Sequence, residues 1–149
     1  MNPIVSLLPE DHILLDLDAN SKKRIFEEAG LCLENSCGIE RAVVFENLLT
    51  REKLGSTALG QGVAIPHGRV KGMKKTLGAF IRPRHPIDFD APDERPVQLI
   101  FVLLAPEQAT EESLQILAAL ATCFAERDFR EKLLAAPDAA SARDIFAAI

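Results

Sequence analysis

The sequence predicts an α/β fold in which helices cover both faces of a strand-rich centre. Three observations predict it. Apolar residues recur at helical spacing in the first third of the chain, and they do so again in the last third. Between these regions, Val97–Ala105 is nearly all apolar and contains three branched residues and a phenylalanine, which is typical of a strand covered on both faces.

The first third of the chain predicts a short strand and then two amphipathic helices. Residues 1–18 alternate loosely between apolar and polar types, as in a strand and a turn. Ser21 is the predicted N-cap of the first helix, with Asn20 as the alternative, and Gly38 is placed to end it. The apolar stripe of the first helix is Ile25, Phe26, Ala29 and Cys32 or Leu33, and that of the second is Val43, Val44, Leu48 and Leu49.

The middle of the chain is punctuated by glycine and proline. Residues 55–72 are glycine-rich and poor in helix formers, and within them we predict one short strand at residues 63–65. Residues 76–81 form a second predicted strand, after which Pro83 and Pro86 interrupt the chain. Together with Val97–Ala105, these strands supply the predicted sheet.

The last third predicts three helices, the last of them capped by Ser141. The second of these helices is expected to end near Pro137. Their apolar stripes are Leu114, Leu117, Leu120 or Ala121, and Phe124; then Phe129, Leu133 and Leu134; and finally Ile145, Phe146 and Ile149.

Composition limits the possible classes of protein. The 149 residues are 48% hydrophobic and 26% charged, so we expect a single domain over residues 1–149 with a substantial core. A formal net charge of −5 argues against a dedicated nucleic-acid binder. No secretory leader and no apolar stretch of spanning length is present, which predicts a soluble, cytoplasmic protein without membrane insertion.

The cysteines and histidines do not form a metal-binding motif. An odd number of cysteines, without close pairing, predicts reduced and buried thiols. The two nearest cysteines are spaced more widely than a usual zinc pair, and no second pair follows. The cysteines are Cys32, Cys37 and Cys123, and the histidines are His12, His67 and His85.

Nucleotide motifs fail in the glycine-rich segment. Gly55 and Gly60 have the spacing of a P-loop, but Gln61-Gly62 stands where the Lys-Ser/Thr pair is required. The dinucleotide fingerprint also fails, because Ile65 occupies the place of its third glycine.

His67 is the remaining candidate for chemistry. It follows a rigid proline and precedes a glycine, an arrangement that we expect to hold the imidazole outward at a strand end with little bulk around it. Neutral imidazole is a competent nucleophile near neutral pH. The alternative, that His67 is only a turn or surface residue, stays open on this residue alone.

Phosphate partners for His67 lie nearby in the sequence. Arg51 offers a planar donor fork, and the hydroxyls of Ser56 and Thr57 with the backbone N–H groups of the glycine-rich loop offer further donors. Arg51 would equally suit a helix C-terminus, and the two hydroxyls would suit a turn or cap.

Two motifs resemble a known family. Residues 49–57 read Leu-Thr-Arg-Glu-Lys-Leu-Gly-Ser-Thr, and residues 62–68 read Gly-Val-Ala-Ile-Pro-His-Gly. They resemble the active region of type-2 enzyme IIA domains of the bacterial phosphoenolpyruvate-dependent phosphotransferase system. Residues 86–91 and the segment from Pro96 to Pro106 extend the resemblance over nearly the whole chain.

The resemblance implies a central mixed β-sheet and ping-pong phosphoryl transfer without a metal or organic cofactor. It places the phosphorylated histidine on His67 and the phosphate-contacting arginine on Arg51. Ser56, Thr57 and Gly68 fall in the loops that line the family's site. The donor would be the phosphocarrier protein HPr or its nitrogen-branch paralogue.

One departure from the family pattern concerns a second histidine. Many members read His-Leu-x-x-Leu after the buried strand, whereas residues 113–117 here read Ser-Leu-Gln-Ile-Leu. Ser113 can exchange a hydrogen bond but cannot carry a positive charge, so the role of the second imidazole is lost or changed. His12 and His85 match no position of the motif.

The residues of the first motif resemble most the nitrogen-regulatory branch of the family. In that branch, phosphorylation state controls a transporter, kinase or other protein partner. Two alternatives stay open. One is a sugar-specific subunit that passes phosphate to a membrane permease component, and the other is a regulatory binding module that is not phosphorylated.

Overall fold

The computed structural model describes residues 2–108 and 111–149. Two short 3₁₀ turns, at Val5–Leu7 and Glu10–His12, precede the first strand. The strands are β1 Ile13–Leu17, β2 Ala58–Gly60, β3 Val63–Ala64, β4 His67–Val70, β5 Leu77–Pro83 and β6 Leu99–Pro106; the helices are α1 Lys22–Cys37, α2 Arg41–Lys53, α3 Glu111–Ala125, α4 Arg127–Ala135 and α5 Ala139–Ala147.

The six strands form one mixed sheet in the order β1-β5-β6-β3-β2, and β4 also pairs with β6. The pairs β1–β5, β3–β6 and β4–β6 are parallel, whereas β5–β6 and β2–β3 are antiparallel. β3 and β4 therefore share one edge of β6, with His67 of β4 opposite Leu103. The mixed sheet predicted for this chain is confirmed.

β6 lies at the centre of the sheet, and both of its faces are covered by helices. Alternate residues of a strand face opposite sides. Ile100 and Val102 belong to the core beneath α1 and α2, whereas Phe101 and Leu103 belong to the core beneath the last three helices. This arrangement explains the nearly continuous apolar run in the sequence, and it places helices on both faces as expected.

Helix α1 begins and ends as the sequence predicts. The Ser21 Oγ accepts a hydrogen bond from the Arg24 backbone N–H at 3.1 Å, so Ser21, and not Asn20, is the N-cap. Gly38 ends the helix with φ 76°, a left-handed conformation that glycine adopts without strain. Of the two alternatives for the last position of the stripe, Leu33 is fully buried, whereas Cys32 is only half-buried.

The buried face of helix α3 is displaced by about one residue from the apolar stripe that the sequence predicts for it. Its buried residues are Ser113, Ile116, Leu120 and Phe124. Leu114, which was predicted to be internal, is 56% exposed. The sequence prediction was wrong there because a second apolar row on α3 faces a surface cavity and not the core.

The predicted cap of α5 was also wrong. The helix begins at Ala139, and the Asp138 carboxylate accepts a hydrogen bond from the Ser141 backbone N–H at 2.8 Å. Ser141 therefore lies inside the first turn, as the donor to the cap. Aspartate and serine are comparably favoured as N-caps, and the aspartate that directly follows Pro137 indicates the start of the helix.

The glycine-rich segment contains more strand than predicted. Besides β3, it carries β2 before and β4 after, each of two to four residues. Strands this short show no clear alternation, and they exist because β6 offers them a hydrogen-bonding edge. His67 is therefore the first residue of β4, the strand that follows the one predicted at residues 63–65.

Candidate functional site

An open cavity of about 690 Å³ lies beside β4, between the C-terminal half of α2 and the first turns of α3. His67, Gly68 and Arg51 line it together with Ser113. The remaining lining residues are Glu46, Asn47, Thr50, Leu54, Arg69, Leu103, Ala105, Leu114 and Leu117. The tertiary structure thus brings together side chains from three separate parts of the chain.

His67 is held by the backbone on which it sits. The Leu103 N–H donates to the Pro66 carbonyl at 2.9 Å, which ties the start of β4 to β6. The His67 Nδ1 lies 2.7 Å from the Ile65 carbonyl oxygen. A carbonyl can only accept, so the Nδ1 atom of His67 carries a proton, and in the neutral imidazole the Nε2 atom is left with a lone pair. His67 is half-buried and lines the cavity.

Arg51 supplies positive charge to the same cavity from the last turn of α2. Its Nη1 donates to the Gly55 carbonyl at 2.9 Å, and this contact fixes the direction of the guanidinium. Within the described part of the chain, no carboxylate lies within 4.0 Å of its nitrogens. The remaining N–H groups of Arg51 are suited to an anion in the cavity.

The turn after Arg51 is anchored by its neighbour, Glu52. The Glu52 carboxylate is buried and accepts hydrogen bonds from the Thr57 Oγ1 at 2.6 Å and from the Thr57 backbone N–H. It also pairs with the Lys22 Nζ at 3.1 Å. Burial alone would lower the pKa of Lys22, but its hydrogen bonds to Asp90 and Glu52 outweigh burial and raise that pKa.

Ser56 and Thr57 support the turn and are not among the residues that line the cavity. Ser56 Oγ donates to the Phe89 carbonyl at 2.5 Å and accepts from the Ala58 N–H at 3.1 Å. The hydroxyl of Thr57 is bonded to Glu52. Of the six residues that the sequence singled out, the structure brings together His67, Arg51, Gly68 and Ser113 around the cavity.

Gly68 lies where β4 passes close to α2. A Cβ atom added at Gly68 would meet Asn47 at 3.6 Å, an ordinary contact distance. Asn47 was missed by sequence reasoning, although it precedes Arg51 by four residues and so shares its helix face. Arg69 was missed as well; it lies two positions after His67 and therefore on the same side of the strand.

Ser113 occupies the first turn of α3 and is 8% exposed. The Thr76 Oγ1 lies 3.3 Å from the Ser113 Oγ, which connects the start of β5 to the cavity wall. Leu54 and Leu114 are 81% and 56% exposed and line the same cavity. The site is therefore a basic and hydroxyl-bearing cleft with an apolar rim.

The three cysteines lie outside this cavity and none is fully buried, contrary to the sequence prediction. All three thiols are free; Cys37 is exposed and the other two are half-buried. Burial raises the pKa of the Cys32 thiol to about 11. Over residues 2–108 and 111–149, no cluster of three His, Cys, Asp or Glu side chains is arranged to hold a metal ion.

None of the helices described is both long and apolar enough to cross a membrane.

Comparison with known proteins agrees with the resemblance seen in the sequence. Residues 6–149 match the family model described as "Phosphoenolpyruvate-dependent sugar phosphotransferase system, EIIA 2". A nitrogen regulatory protein of Bradyrhizobium diazoefficiens is 43% identical over 145 residues, which are 97% of this chain and 95% of that protein. A fructose-specific EIIA component of Haloferax volcanii is 38% identical over 110 residues, or 74% of this chain and 71% of that protein.

A solved structure is similar over the same length. The crystal structure of the nitrogen regulatory protein IIA-Ntr from Neisseria meningitidis superimposes with a TM-score of 0.92 at 55% sequence identity. The superposition covers 97% of this chain and 99% of the other.

Proposed function

This chain belongs to the EIIA 2 family of the phosphoenolpyruvate-dependent sugar phosphotransferase system, and we propose that it is a nitrogen-regulatory phosphocarrier phosphorylated on His67. One observation carries the proposal. The His67 imidazole lines a cavity with its Nδ1 bonded to a backbone carbonyl, and this leaves Nε2 as the nucleophilic nitrogen in a cavity that Arg51 also lines.

The proposed transfer begins on a phosphohistidine of an HPr-type donor. The lone pair of the His67 Nε2 attacks phosphorus, so a new N–P bond forms while the N–P bond of the donor breaks. The donor nitrogen keeps the electron pair of the broken bond, and nothing is oxidised or reduced. The Ile65 carbonyl holds the Nδ1 proton and stabilises the positive charge that develops on the ring.

The remaining polar groups of the cavity suit the phosphoryl oxygens. Arg51 supplies directed N–H donors, and its contact with Gly55 keeps them oriented before the donor arrives. Ser113 is assigned a neutral hydrogen-bonding role in the cavity, where many family members carry a second histidine.

Phosphorylation would change the cavity as a recognition surface. A phosphoryl group adds about −1.5 to −2 charges at neutral pH, by analogy with other phosphorylated residues. Exposed Leu54 and Leu114 form the apolar rim around that charge. A partner protein docked on this rim would bind one phosphorylation state better than the other, and this difference in affinity is the basis of regulation.

The nitrogen-regulatory branch is favoured by the similarity to the Bradyrhizobium and Neisseria proteins, both of which are named for nitrogen regulation. The proposed location is the cytoplasm, and the proposed targets are a transporter, a kinase or other proteins. Binding of a target that changes when His67 is phosphorylated would support this branch.

A sugar-specific subunit is the second candidate, since the Haloferax relative is named as a fructose-specific component. Such a subunit would pass its phosphoryl group to a membrane permease component. A third candidate is a binding module that is never phosphorylated, and the serine at position 113 is the observation in its favour.

The decisive experiment measures phosphoryl transfer in vitro. Wild type, His67→Ala and His85→Ala are each incubated with phosphoenolpyruvate, enzyme I and the HPr-type carrier of either branch, and intact mass is read under non-acidic conditions. His85 is a matched control because it is exposed and lies outside the cavity. We expect one phosphate on wild type and on His85→Ala, and none on His67→Ala.

Absence of phosphate on wild type with both carriers would reject the proposal and support the unphosphorylated module. Onward transfer to a permease component, with no partner that distinguishes the two phosphorylation states, would favour the sugar-specific subunit.

A further inference from the structure

The floor of the His67 cavity is amphipathic. His67 and Arg69 lie two positions apart on β4, so their side chains share one face of the strand. In the parallel pairing with β6, His67 lies opposite Leu103 and Arg69 lies opposite Ala105. All four residues line the cavity. A strip that carries the nucleophile and a cation therefore runs directly beside an apolar strip, at the spacing of roughly 4.8 Å that separates neighbouring strands.

The walls of the cavity extend both strips. Arg51 of α2 adds a second guanidinium, whose Nη1 is oriented by the Gly55 carbonyl at 2.9 Å. In the part of the chain that the structure describes, no carboxylate lies within 4.0 Å of the side-chain nitrogens of Arg51 or Arg69. On the apolar side, the half-buried Leu117 of α3 lines the same cavity. The cavity thus offers two cations to an anionic group and hydrocarbon to whatever that group is attached to.

The cavity also has the size of a small-molecule site. Its volume of about 690 Å³ falls within the range of roughly 300 to 1,000 Å³ that is usual for such sites. It is open to the surface, so a small molecule can reach the His67 imidazole directly. A reactive nitrogen, two cations and an apolar wall in one cavity of this size suit a small organic phosphate.

We propose that this cavity binds short-chain acyl phosphates and that His67 takes a phosphoryl group from them without a protein carrier. The inference rests on the proposed function in one respect, the nucleophilic Nε2 of His67, and extends it from a protein donor to a small one. An acyl phosphate joins an anionic phosphoryl group to a short hydrocarbon chain, so it matches both strips. A sugar phosphate or a nucleotide would set hydroxyl groups against Leu103 and Ala105, whose side chains cannot hydrogen-bond to them.

The leaving group also favours this class of donor. The lone pair of the His67 Nε2 attacks phosphorus, so an N–P bond forms while the bond between phosphorus and the acyl oxygen breaks. That oxygen keeps the electron pair and departs as a carboxylate, which needs no proton. An alcohol would need a proton from a general acid, and the Nδ1 proton of His67 is held by the Ile65 carbonyl at 2.7 Å. Nothing is oxidised or reduced in this step.

The first test omits every protein donor. Wild type, His67→Ala and His85→Ala are incubated with acetyl phosphate alone, and intact mass under non-acidic conditions separates phosphoryl adducts from acetyl adducts. We expect one phosphoryl group on wild type and on His85→Ala, and none on His67→Ala. The initial rate on wild type should saturate as the concentration of acetyl phosphate rises, because the donor is bound before it reacts.

The second test reads the apolar strip through the length of the acyl chain. Butyryl phosphate has two more methylene groups than acetyl phosphate, and each rate is divided by that of free imidazole with the same donor. Partial burial of these groups predicts a normalised rate constant about threefold to tenfold higher for butyryl phosphate. Leu117→Gln should remove this preference, whereas Leu134→Gln, at a position that is 44% exposed and does not line the cavity, should keep it. Circular dichroism establishes that the variants are folded.

Phosphorylation of wild type by an HPr-type carrier, but by neither acyl phosphate, would overturn the inference while leaving the proposed function standing. Equal phosphorylation of His67→Ala, or equal normalised rates of the two acyl phosphates on wild type, would also overturn it. Phosphate taken by His67 from acyl phosphates but from no protein carrier would support the small-molecule site and reject the proposed function.

Discussion

The Nδ1 atom of His67 lies 2.7 Å from the carbonyl oxygen of Ile65, only two residues earlier in the chain. Both residues flank Pro66, whose carbonyl is tied to the Leu103 N–H of β6. The imidazole is therefore oriented by backbone that belongs to the sheet. No second side chain is needed to choose which ring nitrogen carries the proton.

This contact predicts that the phosphoryl group is attached to the Nε2 atom of His67 and not to Nδ1. The expected result is a phosphohistidine whose ¹H, ¹⁵N and ³¹P couplings identify the Nε2–P bond. The measurement is heteronuclear NMR of the phosphorylated protein, with His85→Ala used to assign the exposed imidazole. A spectrum that shows phosphorus on Nδ1 would contradict the tautomer assigned from the structure.

Substitution of Arg51 should slow phosphoryl transfer to His67 without unfolding the protein. Loss of one preorganised hydrogen-bond donor to a developing negative charge typically costs about a hundredfold to a thousandfold in rate, so we expect Arg51→Gln to be slowed by roughly this amount. Arg51→Lys should recover only part of the loss, because an ammonium group cannot reproduce the planar fork. Rapid-quench kinetics provides the measurement.

Arg127→Gln is the control for Arg51, since Arg127 is exposed on α4 and does not line the cavity. It should react as wild type does. An Arg51→Gln variant with an unchanged rate would show that the guanidinium does not assist transfer.

Arg82 should be important for stability, because its buried guanidinium ends helix α4. Its Nη1 lies 2.8 Å from the carbonyl oxygens of Leu133 and Ala136, and Arg82 as a whole is 6% exposed. Arg82→Met leaves these carbonyls without their donor, and we expect it to lower the free energy of unfolding by about 2–3 kcal/mol. Arg84→Met, at an exposed position, should change it by less than about 0.5 kcal/mol.

Urea unfolding followed by far-UV circular dichroism measures both Arg82→Met and Arg84→Met, since the chain has no tryptophan or tyrosine to report by fluorescence. Equal midpoints for the two variants would show that the helix end is satisfied in another way.

The stability of α5 should depend on pH through Asp138. Hydrogen bonds from the Ser141 backbone and side chain hold the pKa of the Asp138 carboxyl below its ordinary value of 3.8. A depressed carboxyl pKa stabilises the folded protein above the ordinary value, and the benefit is lost as pH falls through the folded value. Asp138→Ala should therefore have a lower urea midpoint than wild type at pH 5 to 7, with the difference shrinking below about pH 3.8.

Asp144→Ala is the control for the pH dependence, since Asp144 is exposed on the same helix and is not its cap. Its midpoint should differ from that of wild type by an amount that does not shrink over the same acidic range. A constant difference for Asp138→Ala at all pH values would exclude its carboxylate as the source of the cap.

Much of the fold could be predicted from local signals. The Ser21 cap, the Gly38 stop and the buried run of β6 are confirmed because each depends on backbone geometry or on burial of consecutive residues. β2 and β4 could not be predicted, since strands of three or four residues exist only where another strand offers its edge.

The residues of the candidate site likewise divide into those that the sequence indicates and those that only the tertiary structure shows. Both Arg51 and His67 occur in recognisable motifs, and the structure places both at one cavity. Leu114 was expected in the core, because an apolar row on a helix has the same spacing whether it faces the core or a binding cavity. In the sequence, Asn47 and Arg69 are distinguished only by their spacing from Arg51 and His67. Such spacings are too common to identify a residue of a site.

The sequence by itself determined the α/β class, the family resemblance and the identity of the candidate nucleophile, because helix periodicity and motif chemistry are local properties. Only the tertiary structure decided which ring nitrogen of His67 contacts the Ile65 carbonyl, since the intervening Pro66 carbonyl accepts a hydrogen bond from the Leu103 N–H of β6. It also decided that Ser56 and Thr57 support the turn while Ser113 reaches the cavity. Distance along the chain does not determine distance in space once a sheet brings separate segments together.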